Sequence, residues 1–124
     1  MSPGYSGTPL PQKLGIKDGM TVRLVNAPDG FSLPGVTPRG TDVIVMFTTS
    51  YVDLAKRVPA LGKAIHPNGS LWVAWPKKSS GVPTDVTEND IRDVALPLGL
   101  VDNKVCAVTD VWSGLRLVWR KENR

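Results

Sequence analysis

The side chains that could do chemistry are concentrated in three polar stretches, each of which follows an apolar run. The stretches begin after residues 21–25, 43–47 and 71–75. Hydroxyl groups, backbone amides and lysine ammonium groups can together hold a small anionic or nucleotide-like ligand. The alternative is that these stretches are ordinary solvated loops, since loops between strands and helices are polar. The candidate ligand-binding residues are Asn26, Asp29, Gly30, Thr48, Thr49, Ser50, Lys77, Lys78, Ser79, Ser80 and Thr87.

Residues typical of catalytic or metal sites are scarce. His66 is the only histidine and Cys106 the only cysteine, so no zinc site of ordinary composition can form. No Gly-x-Ser-x-Gly element and no P-loop are present. The carboxylates of residues 85–93 suit helix capping better than acid–base work. The sequence therefore predicts no catalytic residues, no metal and no cofactor.

Composition indicates one folded domain with an ordinary surface. The chain has 124 residues, 41% of them hydrophobic, and a net charge of +4. Its paired cations are scattered among acids, whereas nucleic-acid binders concentrate them, so nucleic acid is not an expected partner. No apolar run is long enough to span a membrane, and residues 1–7 lack the features of a signal peptide. We expect a cytoplasmic protein.

The order of elements predicts an α/β fold. Strands are expected at 21–25, 43–47, 71–75, 104–110 and 115–121, with helices starting after Ser50 and Thr87. The second and third strands are continuously apolar, which is typical of burial on both faces. A turn at Ser113 and Gly114 would make the last two strands an antiparallel hairpin. We predict a three-layer Rossmann-like sheet of about five strands, mostly parallel, whose strand ends bring the polar stretches together.

The predicted domain comprises residues 20–121, between a lead-in of residues 1–19 and a tail of residues 122–124. The first strand would form an edge of the sheet, and an exposed edge invites pairing with another chain. Pro9 and Pro11 suit an extended segment that covers this edge and ends further pairing. We therefore favour a monomer, with a homodimer through this edge as the alternative.

Part of the chain resembles the second half of class I methyltransferases. The resemblance covers roughly residues 20–121 and depends on the order of five features. A buried strand that begins with an Asp comes first, followed by a helix, a Pro-Asn-Gly turn at 67–69, another buried strand and a final hairpin. It implies a reduced methyltransferase-like fold. The loop after the first strand reads Asn-Ala-Pro-Asp-Gly, where the family has a glycine-rich cofactor loop. The strand that carries the ribose-binding acid is also missing, so we expect no methyltransferase activity.

The chain also resembles a family of short, chiefly actinobacterial proteins, domain of unknown function 3052. The matching segments include Gly-Tyr-Ser-Gly-Thr-Pro-Leu at 4–10 and Trp-Ser-Gly-Leu at 112–115; the others are residues 13–16, 26–28, 75–78, 87–88, 101–102 and 104–107. This resemblance implies the same fold and supplies no activity.

Three functions are compatible with these observations. The first is a non-catalytic binding or regulatory module with an anionic or nucleotide-like ligand at the strand ends. The second is a protein-interaction module on a degenerate methyltransferase fold, with Trp112 beside the hairpin turn as a contact surface. The third is a small S-adenosylmethionine-related enzyme.

Overall fold

The computed structural model describes residues 8–124. Residues 1–7 lie outside the described part, and with them the signal-peptide prediction and most of the first matching segment. The three α-helices are α1 (Leu10–Lys13), α2 (Tyr51–Ile65) and α3 (Glu88–Ala95). The strands are β1 (Val22–Val25), β2 (Val43–Phe47), β3 (Ser70–Pro76), β4 (Leu100–Ala107) and β5 (Trp112–Trp119). Short 3-10 helices occupy Lys78–Ser80, Leu96–Leu98 and Lys121–Asn123.

The five strands form one mixed sheet in the order β1-β2-β3-β5-β4. The β1–β2 and β2–β3 ladders are parallel, whereas β3–β5 and β4–β5 are antiparallel. The prediction of a mostly parallel sheet is therefore wrong. The reason is that β5 inserts between β3 and β4, where a single reversed strand creates two antiparallel ladders.

The hairpin also differs from the predicted one. Its turn lies at residues 108–111, where the Thr109 hydroxyl accepts hydrogen bonds from the Val111 and Trp112 amides, both 3.1 Å long. Ser113 and Gly114 belong to β5 and pair with Ala107 and Cys106 of β4. The glycine that predicted a turn instead permits close packing inside the sheet, because a Cβ at Gly114 would lie 3.1 Å from the Trp72 ring.

Both main helices pack on the same face of the sheet. Leu54 and Val58 of α2 share a buried cluster with Ile91 of α3 and with residues of β2, β3, β4 and β5. The two main helices are therefore not divided between the two faces. Their starts agree with the sequence signals: Ser50 caps α2, and Thr87 forms a capping box with Asp90 at the start of α3.

The other face of the sheet is covered by the lead-in segment and the loop after β1. Leu14 is fully buried there, in a cluster that includes Phe47 and Trp72. The Trp72 indole N–H donates to the Leu14 carbonyl over 3.0 Å, and the Lys104 ammonium donates to the Lys13 carbonyl. Hydrogen bonds thus tie the lead-in to β3 and β4 across a face of the sheet.

The outer edge of β1 is covered by residues 35–37. The Val22 amide donates to the Gly35 carbonyl over 2.9 Å, and the Thr37 amide donates to the Val22 carbonyl over 2.7 Å. The expectation that the lead-in of residues 1–19 covers this edge stays a prediction, because residues 1–7 lie outside the described part. The loop closes tightly, because a Cβ at Gly40 would lie 2.6–2.8 Å from Val22 backbone atoms.

Within residues 8–124, none of the helices has the length and apolar character needed to cross a membrane.

Candidate functional site

A cavity of about 300 Å³ opens at the carboxyl ends of β1 and β2, beside the start of β5. We name it the carboxyl-end cavity. The strand-end location is the one at which open α/β sheets commonly bind ligands. Its lining combines ring surface, hydroxyl groups, an amide and a carboxylate from Asn26, Phe47, Thr48, Thr49, Ser50, Asp53 and Trp112.

An aromatic cluster supports the apolar side of the cavity. The Phe47 ring makes edge contacts with the Phe31 ring at 5.0 Å and with the Trp112 ring at 5.2 Å between centroids. Phe47 is buried, whereas Trp112 keeps part of its surface exposed. The cluster therefore holds the Trp112 ring in a defined position from which a planar ligand could stack on it.

Asn26 marks the opposite side of the cavity, where β1 ends. Its φ of 58° lies in the left-handed region, and among the described residues it is the one non-glycine residue with positive φ. Asparagine tolerates this conformation better than most residues. The strain is thus located at a residue that lines the cavity, a placement typical of functional sites.

The hydroxyl residues after β2 are partly committed to local hydrogen bonds. The buried Thr48 hydroxyl donates to the Ser50 carbonyl (3.1 Å) and accepts from the Ser50 amide (3.2 Å). The Ser50 hydroxyl accepts from the Asp53 amide. These bonds set the direction of the chain as it enters α2 and leave the Thr49 hydroxyl as the less constrained group.

The start of α2 is occupied by a carboxylate of the protein itself. The Tyr51 amide donates to Oδ1 of Asp85 over 2.7 Å. The loop that carries Asp85 is held in place by two bonds to the Thr49 carbonyl, one from the Asp85 amide and one from the Thr84 hydroxyl. Asp85 therefore takes the position at which a helix N-terminus would hold an external anion.

A second carboxylate, Asp53, lines the cavity. Its Oδ1 accepts from Nε of Arg57 at 2.6 Å, which leaves Oδ2 for a ligand donor. The charge of Arg57 offsets that of Asp53, whereas Asp85 adds a negative charge at the same helix start, which disfavours an anion there.

The predicted residues divide into two groups. Asn26, Thr48, Thr49 and Ser50 meet in the carboxyl-end cavity, as expected for residues that follow parallel strands. The others lie outside its lining. Lys78, Ser79 and Ser80 form a 3-10 helix that begins after Lys77, and Thr87 is committed to the α3 capping box. Asp29 and Gly30 lie in the turn closed by the Phe31 amide and the Pro28 carbonyl.

Three lining residues are absent from the set predicted from sequence: Phe47, Asp53 and Trp112. The sequence predicted Trp112 only as a contact surface for another protein, and Asp53 lies three residues after the helix-capping Ser50. A signal existed for Asp53, because the third residue of a helix that follows a strand lies near that strand's end. Trp112 could not be placed there before the insertion of β5 was known.

The residues most often used in catalysis lie elsewhere. His66 Nε2 is 2.7 Å from the Asn123 carbonyl, and its ring contacts Trp119. Burial raises the pKa of the Cys106 thiol, although the charges of Lys13 and Lys104 oppose this rise. In the described part of the chain, no three or more His, Cys, Asp or Glu side chains form a group that could hold a metal ion.

Comparisons with known proteins do not assign this chain to a family. No family model matches the sequence, and no curated protein matches it. Among the solved structures with a similar backbone are LepI in complex with SAM and a variant of LepI in complex with SAH and a substrate analogue. Each match has a TM-score of 0.49 and 12% identity, covering 90% of this chain and 39% of the LepI chain. This chain thus spans about two fifths of LepI, a likeness too slight to carry an argument about function.

Proposed function

We propose that this chain is a non-catalytic binding module whose carboxyl-end cavity takes a small nucleoside-like ligand. The observation that carries the proposal is that the Trp112 ring and several hydrogen-bonding side chains line the same cavity. A planar base would stack on Trp112, and ligand hydroxyl or amino groups would donate to Asp53. The volume of about 300 Å³ is at the small end of ligand sites, which suits a nucleoside better than a dinucleotide.

A neutral ligand is favoured over a phosphorylated one by the charges at the α2 start. Asp85 already accepts from the Tyr51 amide, and Asp53 faces the cavity. Lys77 and Lys78, the cations proposed from sequence to hold an anion, lie outside the lining. A phosphate placed at the helix start would meet the carboxylate of Asp85, which already accepts from the Tyr51 amide, so adding phosphate to a nucleoside should weaken its binding.

The test is a thermal-shift screen followed by calorimetry with the common nucleosides, their monophosphates and SAM. We expect saturable binding of a nucleoside, weaker Trp112-dependent binding of its monophosphate and no micromolar binding of SAM. Replacing the stacking ring, Trp112→Leu, should reduce affinity at least tenfold, and Asp53→Asn should reduce it less. Lys77→Ala/Lys78→Ala is the matched control and should bind like the parent protein.

Two results would contradict the proposal. One is tighter binding of the monophosphate that is lost in Lys77→Ala/Lys78→Ala, since this supports the anion site predicted from sequence. The other is micromolar SAM binding, which supports the S-adenosylmethionine-related alternative.

A second candidate function is protein interaction, favoured by one observation at the same end of the molecule. Tyr51 and Val52 begin α2 with 41% and 76% of their surface exposed. Adjacent exposed apolar side chains beside a cavity are a feature of partner-binding surfaces. If the ligand screen finds nothing, a partner captured by the parent protein and lost in Val52→Lys would support this function.

A further inference from the structure

A second cavity, of about 190 Å³, lies at the opposite end of the sheet, where β3 begins and β5 ends. We name it the arginine cavity. Its lining includes Arg116, Arg124, Asn68, Asn103 and Gly69. Two guanidinium groups and two side-chain amides line it, and no acidic side chain of residues 8–124 does. It shares no residue with the carboxyl-end cavity, so its chemistry is independent of the proposed function.

Arg116 is half-buried without the partner that a buried charge requires. Its Nε atom is buried and makes no hydrogen bond, and its Nη1 reaches only Oδ1 of Asn103, at 3.4 Å. Burial lowers the pKa of this guanidinium, because the charged form is desolvated. Arg92 shows the contrast: it pairs with Glu88 and Asp102, and these contacts raise its pKa. No ion pair of Arg116 is present in the described part of the chain.

The neighbours of Arg116 add positive charge instead of offsetting it. Arg116 lies on β5, directly opposite Trp72 of β3 and Lys104 of β4. Like charges directly opposite each other in a sheet are destabilising. The Lys104 ammonium donates to the Lys13 carbonyl, which satisfies its hydrogen bonding and leaves its charge in place. The excess cationic charge at this position is therefore unexplained by the fold alone.

An irregularity in the backbone of β4 places a side chain in the lining of the same cavity. The β4–β5 register shifts between Asp102 and Lys104, so Asn103 is the extra residue of a bulge. Bulges re-aim side chains, and here the re-aimed amide reaches Arg116 and lines the cavity. A guanidinium flanked by amides from a bulge and a turn is an arrangement suited to oxygen ligands on several sides.

We propose that the arginine cavity binds a tetrahedral oxyanion, either inorganic phosphate or the phosphate group of a small monoester. The terminal amino groups of the Arg116 guanidinium would donate to the phosphate oxygens. Arg124 supplies a second positive charge, and Asn68 and Asn103 supply amide donors. The anion would neutralise the positive charge of Arg116, Arg124 and the neighbouring Lys104.

The experiment is a titration with inorganic phosphate and, separately, with glycerol 3-phosphate, read by thermal shift and calorimetry. Sodium chloride holds the ionic strength constant, so that general screening is not mistaken for binding. We expect saturable stabilisation with one site per chain. Arg116→Gln should weaken the affinity at least tenfold, whereas Arg120→Gln should not, since Arg120 is exposed and outside the lining.

The stability of the ligand-free variants separates a binding role from a structural one. Arg116→Met removes an unpaired, half-buried charge, so the ligand-free variant should be as stable as the parent protein or more stable. Saturation by inorganic phosphate identifies the free ion as sufficient, and saturation by glycerol 3-phosphate alone identifies a monoester; both support the proposal. It is overturned if neither anion saturates, if Arg116→Gln responds like the parent, or if ligand-free Arg116→Met is clearly less stable.

Discussion

Asn26 combines a left-handed backbone conformation with a side chain that lines the carboxyl-end cavity. The two properties can be separated by substitution. Asn26→Ala should lower the free energy of unfolding by about 1 kcal/mol, since alanine tolerates positive φ poorly. Asn26→Gly should leave stability near the parent value, because glycine adopts this conformation freely. Urea denaturation measures the difference between the two variants.

Ligand binding by the same variants tests whether the amide itself acts in the cavity. Both substitutions remove the amide, so both should weaken nucleoside binding to a similar degree despite their unequal stabilities. If Asn26→Gly binds like the parent protein, the amide has no role and only the backbone conformation matters.

The charged residues at the two ends of the sheet differ in sign, which bears on where an anion could bind. The sequence contains two adjacent lysines, at 77 and 78, after the third apolar run, and these suggested an anion site at the strand ends. The structure lines the cavity at that end with Asp53 and puts Asp85 on the helix start, whereas unpaired arginine lies at the other end. The anion site at Lys77 and Lys78 stays a prediction, which ligand binding by Lys77→Ala/Lys78→Ala tests.

At the level of elements, the segment 35–40 protects the edge of β1. Its closure depends on Gly40, where a Cβ would meet the Val22 backbone at 2.6–2.8 Å. Gly40→Ala should therefore lower the free energy of unfolding by about 1–3 kcal/mol. Because the segment would pull away from β1, the variant should also associate through the freed edge. Chemical denaturation and light scattering measure the two effects.

Ser32→Ala is the control for this prediction, since Ser32 is exposed in the same loop and the change adds no atoms. It should match the parent protein in both measurements. A Gly40→Ala variant that is destabilised yet monomeric would show that the loop packs on β1 without protecting it from association.

The helices illustrate which features of an element arise from local sequence. Ser50 and Thr87 cap α2 and α3 through bonds to residues three positions away, and both caps agree with their sequence signals. Pro59 lies inside α2, a position that commonly kinks or ends a helix, yet α2 is one element from Tyr51 to Ile65. Packing of Val58 and Leu54 against the sheet supplies stabilisation that the local proline signal does not include.

For the whole molecule, we expect a monomer in solution. One edge of the sheet is β1, which pairs with residues 35–37. The other edge is β4, whose bulge after Asp102 and exposed Lys104 disfavour regular pairing with a second chain. Light scattering at micromolar concentration should give the mass of one chain. A dimer that dissociates on Val105→Lys, a change at an exposed position of β4, would contradict this expectation.

Elements that depend on near neighbours were predictable from the order of residues. The unbroken apolar runs of β2 and β3 required burial on both faces, and both strands lie in the middle of the sheet. Parallel pairing of β1, β2 and β3 was expected from the helix and the long loop between them. That order also brought Asn26, Thr48, Thr49 and Ser50 together, because parallel strands end at one edge of the sheet.

The way in which distant segments meet was not predictable and required the folded chain. Folding inserted β5 between β3 and β4, which made the sheet mixed and brought Trp112 to the carboxyl-end cavity. It placed Asp85 on the amide of Tyr51, 34 positions earlier, and it left Arg116 without an ion pair to any other residue of 8–124. Each of these features depends on which segments pack against each other in the folded chain. The periodicity of apolar residues predicts that a face of a helix or strand is buried, but not which segment buries it.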